Sequence, residues 1–125
     1  MSKSTMEIKN INEIKKKPIK DVHGDATLYQ RILGGGTDKP DLMRTIRNVW
    51  RMTVPPGETN RIHTHENEEQ VYVILKGDGI IQVGEERRQV RTGDAIYLPN
   101  KIGHAFVNNG KGPTVILAFG SEVKE

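Results

Sequence analysis

The chain has 125 residues, no cysteine, four histidines and a formal net charge of +3. That length suits one domain with a core of its own, and the missing thiols exclude a disulfide framework, a thiolate zinc site and a cysteine nucleophile. The basic excess sits in residues 1–20, where six lysines face two glutamates; the rest carries thirteen basic and fourteen acidic groups, so neither a nucleic-acid-binding face nor a basic membrane-binding surface is expected. No apolar run approaches the roughly 18 residues of a membrane span, and the N-terminus lacks the apolar stretch of a secretory leader. A cytoplasmic protein is the expectation.

Residues 1–20 read as a basic arm preceding a single domain over 21–125. Ile8, Ile11 and Ile14 recur every third residue, as on one face of a short helix ended before Pro18; a strand added to a sheet edge is the alternative. Residues 26–33 are strand-like and stop at Gly34-Gly35-Gly36, which lacks the ending of a phosphate loop and reads as a turn. A strand over 45–54 is broken by Pro55-Pro56-Gly57. In the stretch from Gly57 to Gly77, His63 and His65 stand one residue apart in β-like sequence. On a strand such a pair shares a face, about 6.6 Å apart along the axis. Glu68, Glu69 and Gln70 follow, then an apolar run over 71–75. Further strands are predicted over 79–84, 87–91, 95–98, 104–108 and 114–119, separated by Gly, Pro and Asn. Short strands so punctuated indicate an all-β sandwich or barrel, and closure into a barrel removes open strand edges.

Two histidines on one strand and a third, His104, on another are a way to build a mononuclear metal centre. Imidazole serves zinc, iron, copper, nickel and manganese to differing degrees, and the 68–70 cluster offers a fourth ligand. His23 reads as an ordinary surface or core residue.

These residues also fall into a known order. Gly57, five residues, His63-Thr64-His65, the acidic cluster and Gly77 form one motif; Gly93, five residues, Pro99, then His104 and Asn108 form a second, fifteen residues after the first. In both, the chain resembles the cupins, small single-domain members included. The departure in the second motif is Lys101, where the family has glycine. The resemblance implies a cupin jelly-roll β-barrel with a short N-terminal extension and one divalent ion, Zn, Mn, Ni or Fe, in its mouth, held by His63, His65, His104 and a fourth residue. The family has Glu at that fourth place. Counting seven back from Gly77 or five on from His65 gives Gln70; counting four on from His65 gives Glu69, the alternative. A neutral glutamine leaves the full charge of the ion for substrate oxygens and bound water, which suits Lewis-acid work. Three His and one Gln are also found in cupins that linearise unsaturated uronates, and the same spacing with Glu in metal-dependent dioxygenases.

Other residues are expected around the mouth. Arg61 shares a face with His63 and His65 on a regular strand and can grip a carboxylate. Tyr72 shares the face of Gln70 and can donate a proton, as can Glu69. Phe106, two residues after His104, can wall the pocket, and Trp50 and Met52 share a face on an earlier strand. The expected function is that of a metal-dependent lyase, isomerase or dioxygenase acting on a small oxygen-rich substrate such as a sugar acid or carboxylate. The alternative is a non-catalytic module binding such a ligand. Strands apolar on both faces, 71–75 and 115–119, point to a homodimer.

Overall fold

The computed structural model describes residues 6–18, 26–62 and 66–124. His23, His63, His65 and the boundary between 20 and 21 lie outside them. The chain is nearly all β. Among the described residues ten strands follow in order: β1 (Lys17–Pro18), β2 (Leu28–Gly34), β3 (Ile46–Val54), β4 (Thr59–Ile62), β5 (Glu68–Lys76), β6 (Asp78–Val83), β7 (Glu86–Arg91), β8 (Ala95–Leu98), β9 (His104–Val107) and β10 (Thr114–Glu122). They form two antiparallel sheets, one of six strands in the order β1-β2-β3-β10-β5-β8 and one of four in the order β4-β9-β6-β7. This is the jelly roll expected from the sequence.

Alternation decides which side chains meet inside. Along β5, Gln70, Tyr72 and Ile74 are buried while Val71 and Leu75 are exposed. Along β9, His104 and Phe106 are buried and Ala105 and Val107 are only partly so. The inner faces pack Trp50, Met52, Val54, Tyr72, Ile74, Leu98, Ile116 and Ala118 of the larger sheet against Ile81, Val90 and Phe106 of the smaller. Each large side chain so buried stabilises the fold by about 1.5–3 kcal/mol. Trp50 and Met52, which share a face as expected, both belong to this core.

The turns follow the glycines of the two motifs. Gly57, Gly77 and Gly93 have φ of 81°, 93° and 96°, and Lys101 adopts φ 68°. The position where the family carries glycine thus keeps the left-handed backbone without it, at a cost of about 1–2 kcal/mol.

The N-terminal arm takes a form between the two expected. A single 3-10 turn spans Ile11–Glu13, its Asn12 N–H donating to the Asn10 side chain at 2.9 Å. Ile8 is exposed, so the three isoleucines do not form one buried helical face. The Gln30 amide donates to the Ile11 and Ile14 carbonyls at 3.1 and 2.7 Å, which occupies acceptors that a longer helix needs for its own ladder. β1 then pairs with Tyr29 and Leu28 at the sheet edge. Lys39 donates to Glu7 at 2.5 Å, which holds that carboxyl below its ordinary value.

Candidate metal centre

The chain brings the start of β5 and the start of β9 to one end of the barrel. His104 pairs with Ile62 at the end of β4 and with Val83 on β6. Residues 63–67 connect that same Ile62 to Glu68, where β5 begins. The sequence places His63 and His65 in this connection, outside the described residues.

Gln70 is 4% exposed and His104 8%. Tyr72, fully buried, meets the His104 ring edge-on, with centroids 5.9 Å apart and planes at 88°. The Gln70 amide donates to Glu68 Oε2 at 2.7 Å. A carboxylate only accepts, so this bond fixes which end of the amide is nitrogen. Gln70 Oε1 faces elsewhere, buried and without a hydrogen-bond partner among the described residues, and the same holds for the Tyr72 hydroxyl and for Asn48 Oδ1. An orphaned buried polar group costs about 1–3 kcal/mol. Two of them, at successive inward positions of β5, mark a place built to receive something polar.

Gly120 on β10 lies between Gln70 and Asn48 in register, and the β10–β3 register shifts immediately after it. A Cβ at this position would stand 2.5 Å from Asn48 Oδ1 and 2.9 Å from Glu68 Cδ. The glycine therefore leaves the room into which both side chains reach. Burial, with the neighbouring Tyr29 and Glu68 adding to it, pushes the Tyr72 hydroxyl well above the usual tyrosine range. That shift favours the neutral O–H, a hydrogen-bond donor.

The other expected residues take different positions. Glu69 lies on the opposite face of β5 from Gln70 and accepts from the Tyr97 hydroxyl at 2.8 Å, a bond that raises the Tyr97 pKa. Arg61 is exposed because Asn60 is the buried residue beside it on β4. It lines a groove of about 460 Å³ together with His104, Thr59, Gln82 and Arg87, so it shares a recess with one of the expected ligands. Phe106 is 1% exposed and is core, its ring filling the space beside Gly79. A cavity of about 960 Å³ opens between the edge strands β7 and β8 over Ile81, Val83, Val90 and Ile96. Neither Gln70, Tyr72 nor His104 lines it, and its floor is apolar, so the convergent polar groups and not this larger space define the candidate site. The sequence offers Glu68 as a member of the 68–70 ligand cluster, where it precedes Gln70 by two on one strand, but gives no sign of Asn48.

Among the described residues, no three His, Asp or Glu side chains form a set that would hold an ion. The donors that are present fit one: an imidazole and a turned-in amide oxygen, both suited to a divalent cation of borderline softness.

A two-sheet jelly roll with imidazole, amide and phenol converging inside one end defines a barrel of the cupin type. The family model described as a cupin domain matches residues 50–120, and the chain belongs to that family. An uncharacterised protein of Methanocaldococcus jannaschii is 39% identical over 64 residues, covering 51% of each chain. An oxalate-binding protein of Thermotoga maritima is 31% identical over 68 residues, covering 54% of this chain and 56% of its own. The matches thus span about half the length of these curated relatives. Among solved structures, a predicted oxalate decarboxylase of Thermotoga maritima superposes with a TM-score of 0.81 at 24% identity, covering 94% of this chain and 100% of its own. KdgF from Halomonas sp. gives 0.74 at 13% identity, covering 96% of both. These superpositions establish the shared fold.

Proposed function

We propose that this cupin holds one divalent ion, Zn, Mn, Ni or Fe, with His63, His65, Gln70 and His104, and that it acts on a small oxygen-rich substrate such as a sugar acid or carboxylate. The observation that carries the reading is the buried Gln70 oxygen, unpartnered among the described residues, on the face shared with Tyr72, whose ring touches His104. Glu69, the alternative ligand, faces outward to Tyr97. A bound ion supplies Lewis-acid polarisation of substrate oxygens, or oxygen chemistry with iron. The chain's own contribution is orientation: Tyr72 offers a neutral O–H to a substrate oxygen, and Trp50 and Leu98 keep the inner wall dry. The name of the oxalate-binding relative supports a small carboxylate as ligand.

A second reading, a non-catalytic module for the same ligands, is favoured by one observation. Glu68 is engaged with Gln70 and Glu69 with Tyr97, so neither described carboxylate is held ready for a substrate proton. The test is the metal content of protein purified without chelator, followed by a screen of uronates and dicarboxylates. About one ion per chain with turnover supports the enzyme, lyase, isomerase or dioxygenase according to product. One ion with saturable binding and no turnover supports the module. No ion, and none taken up on titration, overturns both.

The protein is further proposed to be a soluble cytoplasmic homodimer joined through the outer face of the larger sheet. Tyr97, Val71, Phe119 and Val49 lie in register across β8, β5, β10 and β3. Tyr97 is 58% and nearby Leu75 44% exposed, an apolar band of the kind that marks an interface. Val71→Lys is expected to convert the dimer to a folded monomer in light scattering; an unchanged dimer would place the interface elsewhere.

A further inference from the structure

We propose that Glu68 is a positioning residue for the metal centre: it fixes the Gln70 amide with the oxygen turned inward and supplies, one hydrogen bond removed, the negative charge that a ligand carboxylate would bring. The inference rests on the metal reading above and deepens it.

Four observations carry it. Glu68 and Gln70 are two apart on β5 and project to the same side. The 2.7 Å bond from Gln70 Nε2 to Glu68 Oε2 has the length of a charge-assisted contact. Gly120 clears the space in which the Glu68 carboxyl lies, since a Cβ there would come within 3.0 Å of Glu68 Oε1. The acid opposite Glu68 on β10, Glu122, is ion-paired with Arg47 at 3.3 Å, which offsets its repulsion of Glu68.

The electrostatics follow. A free glutamine amide can rotate by half a turn and present either oxygen or NH2 to an ion, and the NH2 end repels it. The carboxylate accepts only from the NH2 end, so the repelling orientation is lost. Accepting that bond also draws electron density along the amide toward Oε1, which strengthens the oxygen as a donor to a cation. The pair Glu68–Gln70 then acts as a divided carboxylate: the charge sits behind, the neutral ligand atom in front. Outer partners of this kind orient and tune metal ligands generally.

The test uses full-length, metal-free protein and Co²⁺, followed by calorimetric titration and by the visible ligand-field spectrum, with thermal melting of each metal-free variant as the folding control. Glu68→Gln is expected to weaken Co²⁺ binding by about 10–100-fold, the loss typical for an outer partner, and to alter the spectrum while the metal-free protein still melts cooperatively. The exchange Glu68→Gln with Gln70→Glu reverses the hydrogen bond and brings the charge forward; it is expected to recover most of the loss. Gln70→Glu alone separates the two roles: affinity below that of the exchanged pair supports the coupling to residue 68, and affinity equal to the pair's overturns it. Wild-type affinity in Glu68→Gln, or no recovery in the exchanged pair, overturns the inference alone. No Co²⁺ binding by the wild type overturns the metal centre and this inference with it. Should Glu68→Gln fail to fold, Glu68→Asp, which keeps the charge but draws the carboxyl back from the Gln70 amide, reads the same contact: weaker binding supports the inference, unchanged binding overturns it.

Discussion

His104→Ala is expected to leave a folded barrel that no longer retains an ion. On the proposed site the imidazole is a direct ligand, so affinity should fall by more than the roughly 10–100-fold that loss of an outer partner costs. Protein purified without chelator should drop from about one ion per chain to a trace. The fold should survive: His104 sits at the rim end of β9, and the packing below it runs through Phe106, Ile81 and Tyr72. Removing a buried ring that contacts Tyr72 at 5.9 Å between centroids still leaves a void, for which a loss of about 1–3 kcal/mol is expected. Metal analysis and denaturant unfolding on the same sample separate the two effects. Wild-type metal content in the variant would remove His104 from the ligand set.

The largest expected loss of stability lies at the far end of the second motif. Asn108 is completely buried. Its Nδ2 donates to the Val54 and Gly112 carbonyls, both at 2.9 Å, and its Oδ1 accepts from Gly110 N–H at 3.0 Å. One side chain thus ties the end of β3 to the turn that leads into β10. Its main chain pairs with Gly57 and Glu58, contacts that alanine retains. Asn108→Ala removes the three side-chain bonds and strands a buried carbonyl, for an expected cost of about 3–5 kcal/mol. In a domain of this size that lowers Tm by roughly 10–20 °C. Chemical denaturation checks the figure, and a loss below about 1 kcal/mol would mean that water replaces the side chain. Affinity for the ion should move little, which separates this residue from His104 although both belong to one motif.

The barrel was legible because its signals are local. Most strands from β2 to β10 have Gly, Pro or Asn at one end or both, and the apolar run at 71–75 alone places β5. Lys101 shows where local signals fail: nothing in its side chain announces φ 68°, and only its place in the motif marks the turn. The side on which a residue projects was harder. The run at 71–75 is apolar on both faces, so alternation could not decide between Glu69 and Gln70; the structure turns Gln70 inward and Glu69 toward Tyr97. Alternation along β4 buries Asn60 and leaves Arg61 exposed, on a groove it shares with His104. Asn48 and Gly120 were invisible for another reason. They come within reach of Glu68 only through the pairing of β10 with both β3 and β5, and such pairings over long sequence distance leave no trace in any short window.

That pairing also governs how the chain finds its structure. β10, the last strand, is seated between β3 and β5, so the larger sheet has a vacancy at its centre until residues 114–122 arrive. Before then β3 and β5 each present a bare inner edge, and the apolar faces of both are uncovered. Partial chains are therefore expected to gain little by collapsing early. The domain should assemble late, as one cooperative event, on the millisecond-to-second scale of folds dominated by distant contacts. Its period of greatest exposure to aggregation falls between the synthesis of β5 and the docking of β10.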